Sequence, residues 1–308
     1  MKKNEKNVSR FGIQRKIVAN MTSESWRSIP HVSYIFEPDV TRFIEKYNKF
    51  DARLKTEGRH VTINTVLIKA ICEALKAAPQ MNAHIRFEPK LVRGKTTVFS
   101  NIDISMPWIL PDNRMMTITM KDMGSRSLSE MTAYMNEVAE KIKNTNLDEV
   151  MYSVSMRDTR EQLFEGKIVK VAFRLFGSKT QKRHRVTHLQ GEAKRAYDAI
   201  PDSRKLTISD LKQGTITISN VGALTRGHEG TLALLMIIPP QVCAIGIGAL
   251  TKKPVIITNG NGEDEIAIRS TVPLDIVFDH RVLDFGEIRP FLDALQQIFD
   301  NPEDLLVY

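Results

Sequence analysis

The chain has 308 residues, of which 42% are hydrophobic and 26% charged, and its formal net charge is +8. This length allows one large domain or two ordinary ones, and the composition is that of a globular protein rather than a low-complexity or fibrous chain. No apolar run is long enough to span a bilayer, and residues 1–6 lack the apolar segment of a signal peptide, so we expect a cytoplasmic protein without a transmembrane segment.

The N-terminal half predicts helices and short strands in mixed order. Residues 1–10 are polar and are predicted to be a flexible tail. Apolar spacing predicts helices over 14–21, from Asp39 to before Gly58, from Thr62 or Asn64 to Pro79, and over 127–144. Strands are predicted at 32–37, 84–88, 90–92, 101–106 and 115–120, with turns at Arg93-Gly94 and at 111–113.

The segment from about 147 to 205 carries the excess positive charge. Residues 167–205 contain eleven Lys and Arg against three Asp and Glu, which equals the net charge of the whole chain. A solvated helical hairpin inserted in a larger domain is the simplest interpretation. Contact with a membrane surface, an acidic partner or a nucleotide phosphate are the alternatives.

The C-terminal part predicts strands at 215–219, 242–247, 254–258, 265–270 and 272–277, followed by a helix beginning near Ile288. The run NGNG at 259–262 is typical of a hairpin turn. The fold class is therefore α/β (α+β), a mixed sheet covered by helices. We predict a single domain over 11–308 with a basic insertion at about 147–205.

Two further features bear on chemistry. The cysteines, Cys72 and Cys243, lie in apolar segments and are predicted to be buried free thiols in a reducing compartment, with no metal signature. His280 follows a buried strand on a short polar turn that also carries Arg281 and two aspartates. A histidine on such a rigid frame can take and return a proton near neutral pH, so His280 is the candidate general base.

Four motifs carry a resemblance to a known family. The motifs are DHRVLD at 279–284, TISNVG at 217–222, IPPQ at 238–241 with AIG at 244–246, and RKI at 15–17 with Met21 and IPH at 29–31. Their order and spacing resemble the catalytic domain of the E2 acyltransferases of 2-oxo acid dehydrogenase complexes, which shares its fold with chloramphenicol acetyltransferase. The resemblance covers most of the chain apart from the basic segment.

The resemblance implies an acyl transfer between coenzyme A and a thiol such as a dihydrolipoyl group. His280 would take the thiol proton, and the hydroxyl of Ser219 would donate to the oxyanion of the tetrahedral intermediate. Asp284 would pair with an arginine, for which Arg15 is the candidate, and hold the turn. His31 would be structural. The implied assembly is a homotrimer, or a larger trimer-based one, in which the histidine comes from one chain and the serine from its neighbour.

Three departures from the family pattern raise the question of the substrate. Phe285 stands where the family has glycine directly after the motif aspartate. The family's Pro-x-Gly loop is replaced at 111–113. Only a short tail precedes the domain, without a lipoyl or peripheral-subunit-binding domain, so we expect the acyl or lipoyl carrier to be a separate protein.

Two alternatives stay open at this point. The same base and fold would serve transfer from acyl-CoA to an amine or hydroxyl of a small molecule, and a scaffold with reduced turnover would keep the assembly alone. Nucleic-acid binding would rest only on the basic segment and is not expected. The residues that contact coenzyme A and the identity of the acyl group do not follow from the sequence.

Overall fold

The computed structural model describes residues 11–110, 114–164, 189–223 and 229–308, together with 166, 168, 171 and 172. The helices α1 to α7 are Ile13–Ser28, Thr41–Thr56, Ile63–Ala77, Leu128–Lys143, Leu147–Phe164, Gly191–Asp198 and Phe285–Asp300. The strands β1 to β10 are His31–Phe36, Ala83–Glu88, Arg93–Val98, Ile104–Ile109, Met115–Met120, Ile216–Asn220, Cys243–Ile247, Thr251–Thr258, Asp264–Thr271 and Leu274–Asp279.

The chain divides into two compact units, one of residues 1–23 with 137–212 and the other of residues 24–136 with 213–308. The second unit contains a six-stranded sheet in the order β1-β10-β7-β6-β4-β5. Strand β6 runs parallel to β4 and β7, whereas the other pairs are antiparallel. The predicted mixed sheet with helices is therefore confirmed.

The centre of this sheet is buried because its strands are continuous apolar runs. Every residue of β7 and β10 is buried, as expected for strands covered on both faces. Helix α3 begins at the Thr62 cap, whose hydroxyl accepts the N–H of Thr65 at 3.1 Å, and it ends before Pro79 as predicted. Helices α2 and α7 meet through an edge-to-face contact of Phe43 and Phe299, 5.1 Å between ring centroids.

Three predicted elements differ from the observed ones. Helix α1 extends beyond the predicted 14–21 to Ser28. The predicted strand at 90–92 is a turn between β2 and β3, and the predicted turn at Arg93-Gly94 lies inside β3. A Cβ at Gly94 would lie 3.3 Å from the ring of Phe87, a tight contact that favours glycine at this position. The chain turns instead at Val92, which has a φ of 48°.

The first unit contains α5 and α6 and part of the predicted basic insertion. The buried carboxylate of Glu149 pairs with Lys194 at 2.8 Å and accepts the N–H of Leu189 at 3.0 Å. Most of the basic run at 167–188, like the tail at 1–10 and the loop at 111–113, lies outside the described residues. The roles predicted for these segments stay predictions.

Strands β8 and β9 form a separate hairpin around the predicted turn, where Gly262 has a φ of 82°. Its register places Pro254 opposite Ile268 and Ile256 opposite Ile266 on one face. The three isoleucines of that face are 73–78% exposed. The hairpin thus presents an apolar strip to solvent.

None of the helices in the described ranges combines the length and apolar composition needed to cross a membrane.

Candidate functional site

The turn that follows β10 is held by a buried ion pair. Asp279 ends the strand with its side chain fully buried, and the Arg281 guanidinium binds both carboxylate oxygens, with Nε at 2.9 and 3.2 Å. The backbone N–H of Arg281 also donates to Asp279 Oδ1 at 3.0 Å. A bidentate, charge-assisted pair of this kind fixes geometry as well as charge. The residue between them, His280, is therefore set on a rigid turn.

The contacts of His280 define which ring nitrogen can act as a base. Its Nδ1 lies 3.2 Å from the carbonyl oxygen of Leu283 and 3.1 Å from a carboxylate oxygen of Asp284. Because a carbonyl only accepts, the neutral ring carries its proton on Nδ1 and keeps the Nε2 lone pair free. Among the described residues nothing hydrogen-bonds to Nε2, and the side chain is half-exposed.

Asp284 has two roles in the same turn. It is the N-cap of α7 and forms a capping box with Glu287, whose carboxylate accepts the N–H of Asp284 at 2.8 Å. Its own carboxylate contacts the His280 ring. Arg15, the predicted partner of Asp284, lies on α1 in the other compact unit, so that pairing stays a prediction. The arginine that pairs with an aspartate inside this turn is Arg281.

Because Asp284 both caps α7 and contacts His280, two substitutions should differ in their effect on stability while having the same effect on turnover. Asp284→Ala removes the cap and should lower the free energy of unfolding by about 1 kcal/mol. Asp284→Asn retains a good cap and should unfold like the wild type. Both remove the charge beside Nδ1, and because the Asp284 side chain is 78% exposed, both should lower turnover by up to about fivefold. Urea unfolding and the rate of the acyl transfer that the resemblance implies test this, and a wild-type rate in Asp284→Asn would exclude a role for the charge.

Ser219 lies in a different setting, at the end of β6, where it is 4% exposed. Its register partner on β7 is Gly246, which in turn pairs with Asp275 on β10. A Cβ on Gly246 would come within 2.6 Å of the Leu232 side chain. Glycine at this position thus lets the 229–242 segment lie close against the sheet face that carries Ser219.

The register puts Ser219 and His280 at opposite ends of the sheet. Ser219 lies in one row with Asp275, two strands away, which corresponds to about 10 Å across the sheet. His280 follows Asp275 by five residues, or about 16 Å further along the strand direction. Two short side chains cannot bridge such a separation. The structure therefore does not bring these two predicted site residues together within one chain.

A cleft of about 480 Å³ opens at the carboxyl ends of the parallel strands β6 and β7, on the Ser219 side. Its lining is mostly apolar, with Asn64, Asn220, Glu229 and Thr251 as the polar groups. The Nδ2 of Asn220 donates to Asn64 Oδ1 at 2.7 Å. Mostly apolar concave surfaces with few polar groups are typical of ligand sites, and carboxyl ends of parallel strands are their usual place in α/β sheets.

His31, near the turn, is bound as a structural residue. Its Nδ1 lies 2.9 Å from the carbonyl oxygen of Ile29, and its Nε2 accepts the N–H of Ile237 at 3.2 Å. Burial lowers the pKa of His31 below its usual value. Both ring nitrogens are used and the ring is neutral, so His31 is not placed to act as a base.

The lowered pKa values of His31 and His84 predict a pH-dependent stability. Burial also lowers the pKa of His84, whose Nε2 lies 3.0 Å from the Gly214 carbonyl. Below the ordinary value of 6.5, the unfolded chain binds protons at both rings that the folded chain does not. The free energy of unfolding should thus fall between about pH 7.5 and about pH 5.5. Urea titrations should show a smaller fall in His84→Gln, and an equal fall would contradict this assignment.

Two contacts near the site were missed by the sequence analysis. Arg281 was not assigned to Asp279, although their spacing of two residues on a turn after a buried strand is a usable signal. Phe285, the departure from the family pattern, packs edge to face on Tyr34 of β1, 5.0 Å between ring centroids. This contact fastens the first residue of α7 to the edge of the sheet. In the described ranges, no group of His, Cys, Asp and Glu is arranged to hold a metal.

The model of one protein family, described as 2-oxoacid dehydrogenases acyltransferase (catalytic domain), matches residues 2–153 and 179–307. The chain is 26% identical over 92% of its length to the dihydrolipoyllysine-residue acetyltransferase component of a pyruvate dehydrogenase complex from Corynebacterium glutamicum. It is also 26% identical, over 97% of its length, to the lipoamide acyltransferase component of the branched-chain alpha-keto acid dehydrogenase complex of Bacillus subtilis. The chain spans 32% and 53% of these two relatives.

Solved structures share the fold. A probable dihydrolipoamide acetyltransferase from Listeria monocytogenes superposes with a TM-score of 0.63 at 23% identity, covering 98% of this chain and 96% of that one. The cubic core of a pyruvate dehydrogenase multienzyme complex gives a TM-score of 0.65 at 19% identity, with 99% and 96% covered.

Proposed function

The chain belongs to the family of 2-oxoacid dehydrogenase acyltransferase catalytic domains, and from this premise we propose that it transfers an acyl group between coenzyme A and a thiol, such as a dihydrolipoyl group. The observation that carries the proposal is the free Nε2 of His280 on a turn fixed by the Asp279–Arg281 pair. A half-exposed imidazole with one nitrogen held and the other open is suited to take a proton from a bound substrate.

The chemistry needs one base and no covalent acyl-enzyme. Nε2 of His280 takes the proton of the attacking thiol, and the resulting thiolate adds to the thioester carbonyl. The tetrahedral intermediate collapses, the first carbon–sulfur bond breaks, and the leaving thiolate recovers the proton from the imidazolium. Contacts of Nδ1 with Leu283 and Asp284 stabilise the ring while it carries the second proton.

Ser219 is proposed as the hydroxyl that donates to the oxyanion of this intermediate. Its separation from His280 within one chain supports a site completed by a second copy, with the histidine end of one sheet facing the serine end of the next. Contacts between unlike ends of identical chains are heterologous and form a ring when the rotation between neighbours closes. A dimer with two-fold symmetry has like surfaces in contact, so the smallest closed ring with unlike surfaces in contact is a trimer. The resemblance implies the same assembly, a homotrimer.

The direct test is acetyl transfer from acetyl-CoA to free dihydrolipoamide, followed by the absorbance of the thioester product. We expect saturable transfer that depends on both substrates in a single ternary complex. Transfer to amines or hydroxyls with no transfer to thiols would show that the proposed acceptor is wrong, while the proposed base, His280, would stand. If the folded and assembled chain transfers the acetyl group to none of these acceptors, the alternative that remains is a scaffold with reduced turnover.

A further inference from the structure

The hairpin of β2 and β3 carries an unusual arrangement of charge. Its register places Arg86 directly opposite Lys95, and Glu88 opposite Arg93. Arg86 and every residue of β3 are exposed to solvent. Like charges directly opposite each other in an antiparallel pair are destabilising, and a two-stranded sheet is only marginally stable by itself.

The one acidic residue of the hairpin, Glu88, lies opposite Arg93, so Arg86 and Lys95 face each other without an acid between them. Arg86, Arg93 and Lys95 have no ion-pair partner among the described residues, whereas many other surface cations do, such as Lys46 with Glu303 and Lys76 with Glu73. Residues 83–98 contain four Lys and Arg against one Glu. The hairpin thus carries an excess of positive charge that its single acid, Glu88, does not neutralise.

The hairpin is tied directly to the His280 turn. Because side chains alternate along a strand, Phe87 and Gly94 lie on the face opposite to Arg86 and Lys95. The guanidinium of Arg281 lies 5.5 Å from the centre of the Phe87 ring, and the same guanidinium binds Asp279 next to His280. One face of the hairpin therefore supports the turn while the other face carries the cations.

The shape of the cationic face indicates the class of partner. Small anionic ligands bind in concave sites, whereas Arg93 and Lys95 lie on β3, every residue of which is exposed. Single-stranded nucleic acid is bound by cations interleaved with aromatic rings, and none of the residues on this face is a Phe, Tyr or Trp: they are His84, Arg86, Glu88, Arg93, Lys95 and Thr97. A flat cationic surface without stacking rings fits the acidic surface of a folded protein.

We propose that the Arg86–Lys95 face of the hairpin docks an acidic carrier domain that presents its thiol arm to His280, an inference that rests on the proposed function. The contact area of two six-residue strands is small, as suits a carrier that must arrive and leave in each cycle. Opposite charge accelerates such encounters, and added salt weakens them.

The test compares two acceptors in acetyl transfer from acetyl-CoA: free dihydrolipoamide and an isolated, reduced lipoyl domain of acidic net charge. The double substitution R86E/K95E should raise the KM for the domain by about 10-fold or more at low salt. The rate with free dihydrolipoamide should stay within about twofold of the wild type. This variant keeps a like-charge pair across the strands, so its urea midpoint should match that of the wild type.

A matched control reverses two cations elsewhere. Lys49 on α2 and Lys252 on β8 are exposed and have no ion-pair partner among the described residues. K49E/K252E changes the net charge by the same amount and should leave both acceptors unaffected. Equal losses in both double variants would assign the effect to net charge alone and overturn the proposal.

Other outcomes separate the docking surface from the proposed function. If R86E/K95E loses activity equally with both acceptors, or loses activity with neither, the docking proposal is overturned. Salt-sensitive retention on DNA that R86E/K95E removes, with an unchanged KM for the domain, would assign the face to nucleic acid. If the wild type transfers to neither acceptor, the proposed function fails. Binding of the immobilised lipoyl domain by the wild type and by R86E/K95E then decides docking without turnover.

Discussion

His280→Ala is expected to lower kcat for acetyl transfer by about 10²- to 10⁴-fold, because it removes the group that takes the thiol proton. The KM values should change little, since the half-exposed ring contributes its main contact only when the proton moves. The ratio of kcat values at saturating acetyl-CoA and dihydrolipoamide is the measurement. Equal rates for variant and wild type would remove the proposed base.

His60 offers a matched control for this substitution. Its side chain is 51% exposed, as is that of His280, and its Nδ1 also contacts a carboxylate, that of Asp51 at 2.6 Å. His60 lies between α2 and α3, outside the four motifs. His60→Ala should retain the wild-type rate, because Lys55 and the N–H of Val61 still bind Asp51. A similar loss in both variants would point to a general effect of removing a histidine–aspartate pair.

Ser219→Ala is the second substitution with a large expected effect. Removing one oxyanion donor should lower kcat by about 10²- to 10³-fold, while the KM for acetyl-CoA stays near the wild-type value. Ser105 on β4 is a control of the same residue type, being 2% exposed where Ser219 is 4% exposed. The Ser105 hydroxyl accepts the N–H of Gly214, so Ser105→Ala should cost stability and leave kcat within a few-fold of wild type.

The two substitutions together test whether the site is shared. Each variant chain retains the residue that the other lacks, so assemblies reformed from an equal mixture contain some sites with an intact histidine and an intact serine. Random mixing in a closed ring restores about one quarter of the sites. Activity that rises toward this level on mixing supports the shared site. Activity that stays at the sum of the two parents would show that each chain works alone.

Local signals made much of this fold predictable. Helix α3 has a threonine cap at one end and a proline at the other, and the turn at 259–262 has a glycine, Gly262, where φ is 82°. The Arg93-Gly94 pair was misleading because Gly94 lies inside β3, where the ring of Phe87 leaves little room for a Cβ, at 3.3 Å. The structural role of a glycine depends on the residues that pack against it. The spacing of residues along the chain does not reveal those neighbours.

The candidate site was predictable in its residue types but not in its contacts. His280, Ser219 and Asp284 were identified from motifs. The distance between the first two depends on the register of three strands, β6, β7 and β10, and no local pattern fixes that register. The motifs imply a distant arginine, Arg15, as the partner of an aspartate in this turn, whereas the structure pairs Asp279 with Arg281, two residues away.

The β8–β9 hairpin has a consequence for aggregation. A two-stranded sheet has an open edge on each side, and an apolar face next to open edges favours cross-β association between chains. This hairpin counters the tendency within its own sequence. Pro254 removes one backbone donor from a free edge, and charged residues flank the apolar strip at both ends, namely Lys252, Lys253, Asp264, Glu265 and Arg269. The strip can therefore stay exposed to solvent without becoming a template for fibrils.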